Sequence, residues 1–142
     1  VSRDWAGGYG TASKSKRNVY GHDPSAAVMV NVSLSYVASI LISQGFEIAL
    51  LDGQAENLNI EAVCEKIARF SPELIIANTN LPSLYGDLAL IDVIKDRFRD
   101  IRVICIGTVC KSLHVEIMSK ARVDICVTGE PELVAPRIVK AL

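Results

Sequence analysis

The sequence has no excess of charge of one sign and no long hydrophobic run. Fifteen Lys and Arg stand against 16 Asp and Glu in 142 residues, which gives a formal net charge of −1. A nearly neutral chain has no general electrostatic attraction for nucleic acid or for an anionic membrane surface. Its apolar stretches are interrupted well before the roughly 20 residues that a membrane span needs. We therefore expect neither a nucleic acid nor a membrane as partner.

The cysteines lack the short paired spacings of a zinc or iron-sulfur site. There are four of them, at Cys64, Cys105, Cys110 and Cys126. Three lie in apolar runs, where a free Cys behaves as a small hydrophobic side chain, so packing is favoured over metal ligation. Because reduced thiols are typical of the cytoplasm, the sequence predicts a cytoplasmic protein.

A recognisable catalytic set is also missing. Neither His22 nor His114 stands at a familiar spacing from a Ser or Cys nucleophile. Glu130 precedes an apolar segment with Pro131 and Glu132, an order that is typical of the first turn of a helix, where acidic residues complement the helix dipole. The sequence therefore indicates no active site of its own.

Two other ligand classes fail on particular residues. The segment 7–10 (GGYG) lacks the third glycine of a dinucleotide fingerprint at the right spacing, and Asp52 is far beyond the roughly 20-residue spacing of a ribose-binding acid. A phosphorylated receiver domain would need Asp after its third strand and Lys after its last, where this chain has Asn78 and Thr128. Neither class is predicted.

What the sequence does contain is a series of short apolar runs, each followed by a helical pattern. The runs are residues 48–51, 74–77, 103–106 and 125–127. The helices carry apolar residues at helical spacing, at Ile60, Val63, Cys64, Ile67 and Ala68 and then at Leu84, Leu88, Ile91 and Phe98, with shorter helices at 112–120 and 131–142. This alternation predicts an α/β fold, a doubly wound parallel sheet in three layers that is Rossmann-like and resembles flavodoxin.

The first helix has no convincing strand ahead of it. An Asp-Pro pair at residues 23–24 and the later Gly45 predict a helix between them. A doubly wound sheet normally places its first strand centrally, so we expect that strand to precede Val1 and to be missing by truncation. The alternative is a strand at 26–32 with the helix starting near Ser33. Residues 1–24 are expected to form a glycine-rich loop ahead of an α/β domain at 25–142.

The loops after the apolar runs are the places to look for a ligand, because open α/β sheets bind ligands at the carboxyl ends of their strands. They are residues 52–54, 78–83, 107–109 and 128–131. These loops are rich in Gly, Thr and Asn, which allow close approach of the backbone and offer hydrogen bonds. The same residue types are also common turn formers, so each loop alone has an equally good structural explanation.

The order of these features resembles one family. Residues 36–41 (YVASIL), 45–48 (GFEI) and Asp52 are similar to the stretch that opens the B12-binding domains found ahead of radical-SAM domains. Downstream, residues 70–75 (FSPELI) and 123–132 (VDICVTGEPE) resemble two later parts of the same pattern. Where the family often has Gly-Gly this chain has Gly107 and Thr108.

The resemblance implies a cobalamin-binding module at the front of a B12-dependent, methyltransferase-like radical-SAM enzyme. In the family the corrin ring lies over the strand ends, and the nucleotide tail is held between strands and helices. The positions that match the binding loops are Asp52, Thr79, Asn80, Gly107, Thr108 and Gly129.

Departures from the pattern limit what is carried over. The chain lacks Asp-x-His-x-x-Gly, so no histidine ligand to cobalt is predicted. It also lacks Cys-x-x-x-Cys-x-x-Cys, so the 4Fe-4S cluster and S-adenosylmethionine are expected on a downstream radical-SAM domain of the same polypeptide. The segment itself is expected to be non-catalytic. The alternative is a cofactor-free α/β interaction or regulatory domain with the same fold.

Overall fold

A computed structural model describes residues 31–53, 56 and 58–142. In this part of the chain the helices are α1 (Val32–Ser43), α2 (Ile60–Phe70), α3 (Leu84–Arg97), α4 (Thr108–Lys120) and α5 (Pro131–Ala141). The strands are β1 (Leu74–Asn78), β2 (Arg102–Ile106) and β3 (Ile125–Cys126), and a short 3-10 turn at Leu81–Ser83 precedes α3.

The three strands form one parallel sheet in the order β1-β2-β3. Leu74 is paired with Arg102 and Asn78 with Ile106, and the ladder to β3 begins at Ile104 opposite Ile125. The central strand is apolar throughout its last four residues because helices cover both of its faces. The parallel α/β sheet predicted from the sequence is confirmed.

Alternate residues of β2 point to two different helical layers. Val103 and Cys105 lie in a buried cluster with residues of α2, α3 and α4. Ile104 and Ile106 lie in a second cluster, against which residues of α1 and α5 pack. The sheet is therefore the middle of three layers, as a flavodoxin-like domain requires. None of the helices in the described part of the chain is long and apolar enough to cross a membrane.

The predicted strand at residues 48–51 is wrong. Residues 46–51 have no regular secondary structure, and among the described residues β1 is hydrogen-bonded to β2 alone. A groove of about 740 Å³ is lined by this segment on one side and by β1 on another. An apolar run becomes a strand only where a neighbouring strand completes its hydrogen-bond ladder, and the groove separates these residues from one. Leu50 is accordingly 55% exposed.

The uninterrupted helix predicted between residues 24 and 45 is also wrong. The described helix begins at Val32, and Asn31 is its N-cap, with non-helical φ and ψ of −78° and 86° and a side chain that accepts a hydrogen bond from the Leu34 N–H. Asn is among the strongest N-cap residues, and its cap prevails over the apolar periodicity that continues upstream. The alternative start near Ser33 is close to the observed one. The loop at 1–24, and the question of a strand at 26–30, lie outside the described residues.

Candidate functional site

The loops that follow β1, β2 and β3 lie at one edge of the sheet, since parallel strands end on the same side. The loop after β1 runs from Thr79 to the 3-10 turn at Leu81–Ser83. After β2 the chain turns into α4 at Gly107, and after β3 it turns into α5 through Gly129. This edge is the candidate site.

The first two of these loops are in direct contact at Gly107. The Thr79 N–H donates to the carbonyl of Ile106 at 2.9 Å. Gly107 has φ of +126°, and a Cβ added there would lie 2.1 Å from the Thr79 carbonyl oxygen and 3.1 Å from Asn78 Oδ1. Both the backbone angle and the space therefore require glycine. The close approach that the sequence assigned to a ligand is made by the neighbouring loop.

Thr79 is fully buried, and its hydroxyl is used inside the protein. Thr79 Oγ1 donates to Asp87 Oδ2 at 2.7 Å, and Ser83 Oγ donates to the same oxygen at 2.7 Å. Asp87 is 2% exposed, and burial raises the pKa of its carboxyl to about 6, although both hydroxyl hydrogen bonds act in the opposite direction. Asp87 was not predicted from the sequence, because an acidic residue in the first turn of a helix is usually only a partner of the helix dipole.

The remaining predicted positions are more open. Asn80, Thr108 and Gly129 are exposed at the strand-end edge. A Cβ added at Gly129 would lie 3.2 Å from Val134 Cγ2, the one contact within 4 Å that the described residues give it. Asp52 is half-buried, and its carbonyl accepts a hydrogen bond from the Glu56 N–H at 3.0 Å.

The structure thus brings some of the predicted residues together and leaves others apart. The neighbours Thr79 and Asn80 are joined to Gly107 and Thr108 by the contact between their loops. Gly129 lies in the next loop along the edge. Asp52 directly follows residues 46–51, which line one side of the groove, and does not itself line it.

An apolar groove runs along β1, from Glu73 and Arg102 at the amino ends of the strands to Ala77 near the carboxyl end of β1. It is lined by side chains from α1, α2, residues 46–51 and β1 itself, among them Leu34, Val37, Phe46, Ile67 and Ala77. Its volume of about 740 Å³ falls within the range of sites for small molecules and cofactors, roughly 300 to 1,000 Å³. The lining of the groove includes Ala77, close to the carboxyl end of β1, but none of the predicted binding positions.

Within the described residues, potential metal ligands do not form a group at this site. His114 is exposed on α4. Among the described residues there is no group of three or more His, Cys, Asp or Glu side chains that could hold a metal ion. Cys110 Sγ lies 3.8 Å from Cys105 Sγ, and burial raises the pKa of the nearby Cys126 thiol to about 12. Cys64, Cys105 and Cys110 are buried and contribute to packing, as the sequence predicted.

Neither a curated protein sequence nor a solved structure matches this chain at a significant level. A family model described as the B12 binding domain matches residues 23–139, which include every described helix and strand up to most of α5. The match agrees with the parallel sheet, the helical layers and the small residues at the strand ends. The chain belongs to the B12-binding domain family.

Proposed function

We propose that this domain is the cobalamin-binding module of a B12-dependent, methyltransferase-like radical-SAM enzyme. The observation that carries the proposal is the strand-end edge, where the loops of Thr79 and Gly107 pack together and Asn80, Thr108 and Gly129 are exposed. Residues 25–142 are the proposed cobalamin-binding domain, with a location in the cytoplasm. Of the positions carried over from the resemblance, Asn80, Thr108 and Gly129 would meet the cofactor at the exposed edge, Thr79 and Gly107 would shape the loops that present them, and Asp52 would lie apart from them.

The exposed residues at this edge have the chemistry to meet a corrin ring. The amide of Asn80 and the hydroxyl of Thr108 both donate and accept hydrogen bonds, and the rim of a corrin carries amide groups that need such partners. Gly129 leaves room for the ring, and the groove beside β1 would exclude water from the nucleotide tail. When bound, cobalamin supplies a cobalt centre that can carry a methyl group.

The catalytic half of the parent enzyme is proposed to lie in a downstream radical-SAM domain of the same polypeptide. That domain would hold the 4Fe-4S cluster and S-adenosylmethionine, and the present segment would be catalytically silent. The coding sequence beyond Leu142 tests this directly, because Cys-x-x-x-Cys-x-x-Cys is required there. A coding sequence that ends or continues without that motif would contradict the radical-SAM context and leave cobalamin binding unaffected.

Binding itself is tested with hydroxocobalamin and gel filtration. The wild-type chain should keep the red cofactor at a ratio near one to one. Gly129→Val adds bulk where the ring would rest and should weaken the affinity by roughly tenfold, the effect of about 1.4 kcal/mol. Ala68→Val, at an exposed position of α2, adds comparable bulk away from the site and should leave the affinity unchanged. A wild-type chain that elutes without cofactor would favour the cofactor-free interaction domain.

The bound cobalt should carry no histidine from this chain. His114 is exposed on α4, and a ligating imidazole needs a partner that fixes its orientation. Electron paramagnetic resonance of the reduced cobalt(II) form should give the same spectrum for the wild type and for His114→Ala and His22→Ala. Nitrogen splitting that disappears in either variant would contradict this prediction.

A further inference from the structure

Asp87 is a buried carboxyl group that the proposed binding edge does not yet explain. It lies in the first turn of α3, directly after the loop that follows β1, and it is 2% exposed. Burying a carboxyl group costs free energy unless its hydrogen bonds are complete. Here one oxygen, Oδ1, has no hydrogen-bond partner among the described residues. If this position contributed only to packing, an apolar residue here would make the protein more stable.

The other carboxyl oxygen ties together both ends of the loop after β1. Asp87 Oδ2 accepts hydrogen bonds from Thr79 at the beginning of this loop and from Ser83 at its end. Ser83 Oγ also lies 3.3 Å from the Asn80 carbonyl oxygen. The carboxyl group therefore fixes the path of a loop that is also anchored at this edge by the contact of Thr79 with the segment at Ile106 and Gly107.

We propose that Asp87 is a positioning residue for cobalamin binding. Through the hydroxyls of Thr79 and Ser83 it holds the loop in the one shape that presents Asn80 to the ring. Asp87 itself stays below the surface and does not touch the cofactor. The inference rests on the proposed function and adds to it a residue that the family pattern does not supply.

The first test compares affinity with stability in Asp87→Asn. The amide keeps the size of the side chain and removes the negative charge that accepts hydrogen bonds from both hydroxyl groups. The affinity for hydroxocobalamin should fall by roughly tenfold to a hundredfold, which is what loss of hydrogen bonds to a charged group costs. The melting temperature of the variant at pH 7.5 should equal or exceed that of the wild type, because the neutral amide avoids the cost of burying a charge. A residue with only a structural role would lower the melting temperature and leave the affinity of the folded protein unchanged.

Matched variants separate the carboxyl group from general effects on α3. Asp96→Asn removes an exposed charge from the same helix and should change the affinity by less than twofold. Thr79→Val removes one of the two hydroxyls and should weaken binding, whereas Thr79→Ser restores the hydroxyl and should recover most of the affinity. Recovery by Ser points to the hydrogen bond and not to the shape of the side chain.

The outcomes are distinguishable. If the wild type binds hydroxocobalamin and Asp87→Asn binds within twofold of it, the positioning role is overturned and the proposed function stands. If the wild type does not bind, both are overturned. If Asp87→Asn does not fold, Ser83→Ala decides, because its half-buried hydroxyl can be removed without loss of core packing. Unchanged affinity in Ser83→Ala would then count against the proposal, and weakened affinity would support it.

Discussion

Gly107 and Gly45 both have positive φ, but only Gly107 is also surrounded by other atoms. Gly45 has φ of +88°, and a Cβ added there would have no described residue within 4 Å, whereas a Cβ at Gly107 would meet the Thr79 carbonyl oxygen. Gly45→Ala should therefore cost only the backbone strain, about 1 kcal/mol. Gly107→Ala should cost about 3 kcal/mol or more, because the strain is combined with a displaced strand-end loop. Urea unfolding of both variants measures the difference.

Equal losses of stability for these two alanine variants would contradict the contact between the loops.

The contact at Gly107 also limits which substitutions can be used to probe cobalamin binding. A bulky residue at position 107 disturbs Thr79 whether or not cobalamin is present, so loss of binding there would say little about the ring. Gly129 is the cleaner probe, because the side chain of Val134 is the only obstacle near it within the described residues.

Asp87 should make the free energy of unfolding depend on pH in an unusual direction. Its pKa is about 6 in the folded protein and about 3.9 in an unfolded chain. Between these two pH values the folded state binds more protons than the unfolded state. The contribution of Asp87 to the free energy of unfolding is therefore complete below about pH 4 and is lost as the pH rises through 6. A difference of about two pKa units corresponds to roughly 3 kcal/mol.

The measurement is urea unfolding of the wild type and Asp87→Asn between pH 4 and pH 8. The difference between the two proteins isolates this carboxyl from groups such as Asp124, whose pKa is lowered by Lys95 and by the Val103 N–H against the effect of its own burial. Stability of the wild type relative to the variant should decrease as the pH rises. A constant difference across this range would show that Asp87 does not titrate there.

At the scale of elements, the start of α1 depends on a single side chain. Asn31 Oδ1 accepts a hydrogen bond from the Leu34 N–H at 3.1 Å, and the Asn31 carbonyl accepts one from Ser35 Oγ. Asn31→Ala should lower the free energy of unfolding by about 1 kcal/mol, and Asn31→Ser should be nearly neutral, because Ser caps helices about as well as Asn. Chemical denaturation of both variants tests this. An Ala variant as stable as the wild type would mean that α1 does not need this cap.

The elements that could be predicted from the sequence are those whose signal is local. Ile60 to Phe70 has an apolar face and a polar one, and Asn59 caps it, so α2 follows from periodicity alone. The segment at 48–51 has the same apolar composition as β2 but no hydrogen-bonded neighbour among the described strands, and composition cannot supply one. The site divides in the same way. Gly and Asn at strand ends are visible in the sequence, but the Thr79 hydroxyl that turns inward to Asp87 depends on tertiary packing.

At the scale of the whole molecule, cofactor binding should stabilise the fold by mass action. A ligand that binds only the folded state adds about 2.7 kcal/mol when its free concentration is a hundred times its Kd. For a domain of this size the melting temperature should then rise by roughly 5 to 10 °C. Differential scanning calorimetry with increasing hydroxocobalamin measures the shift. Cobinamide, which lacks the nucleotide tail, should give a smaller shift if the tail occupies the groove beside β1.

The packing of α1 against α5 has a consequence for how the chain is made. Val37 and Leu41 of α1 share a buried cluster with Ala135 of α5, although nearly a hundred residues separate them in the sequence. A ribosome releases α1 well before α5, so the apolar face of α1 lacks its partner while the residues between them are synthesised. Until α5 has been synthesised, the apolar face of α1 is exposed. Nascent chains stalled before α5 should therefore be the species that ribosome-associated chaperones hold, and release should coincide with the emergence of α5.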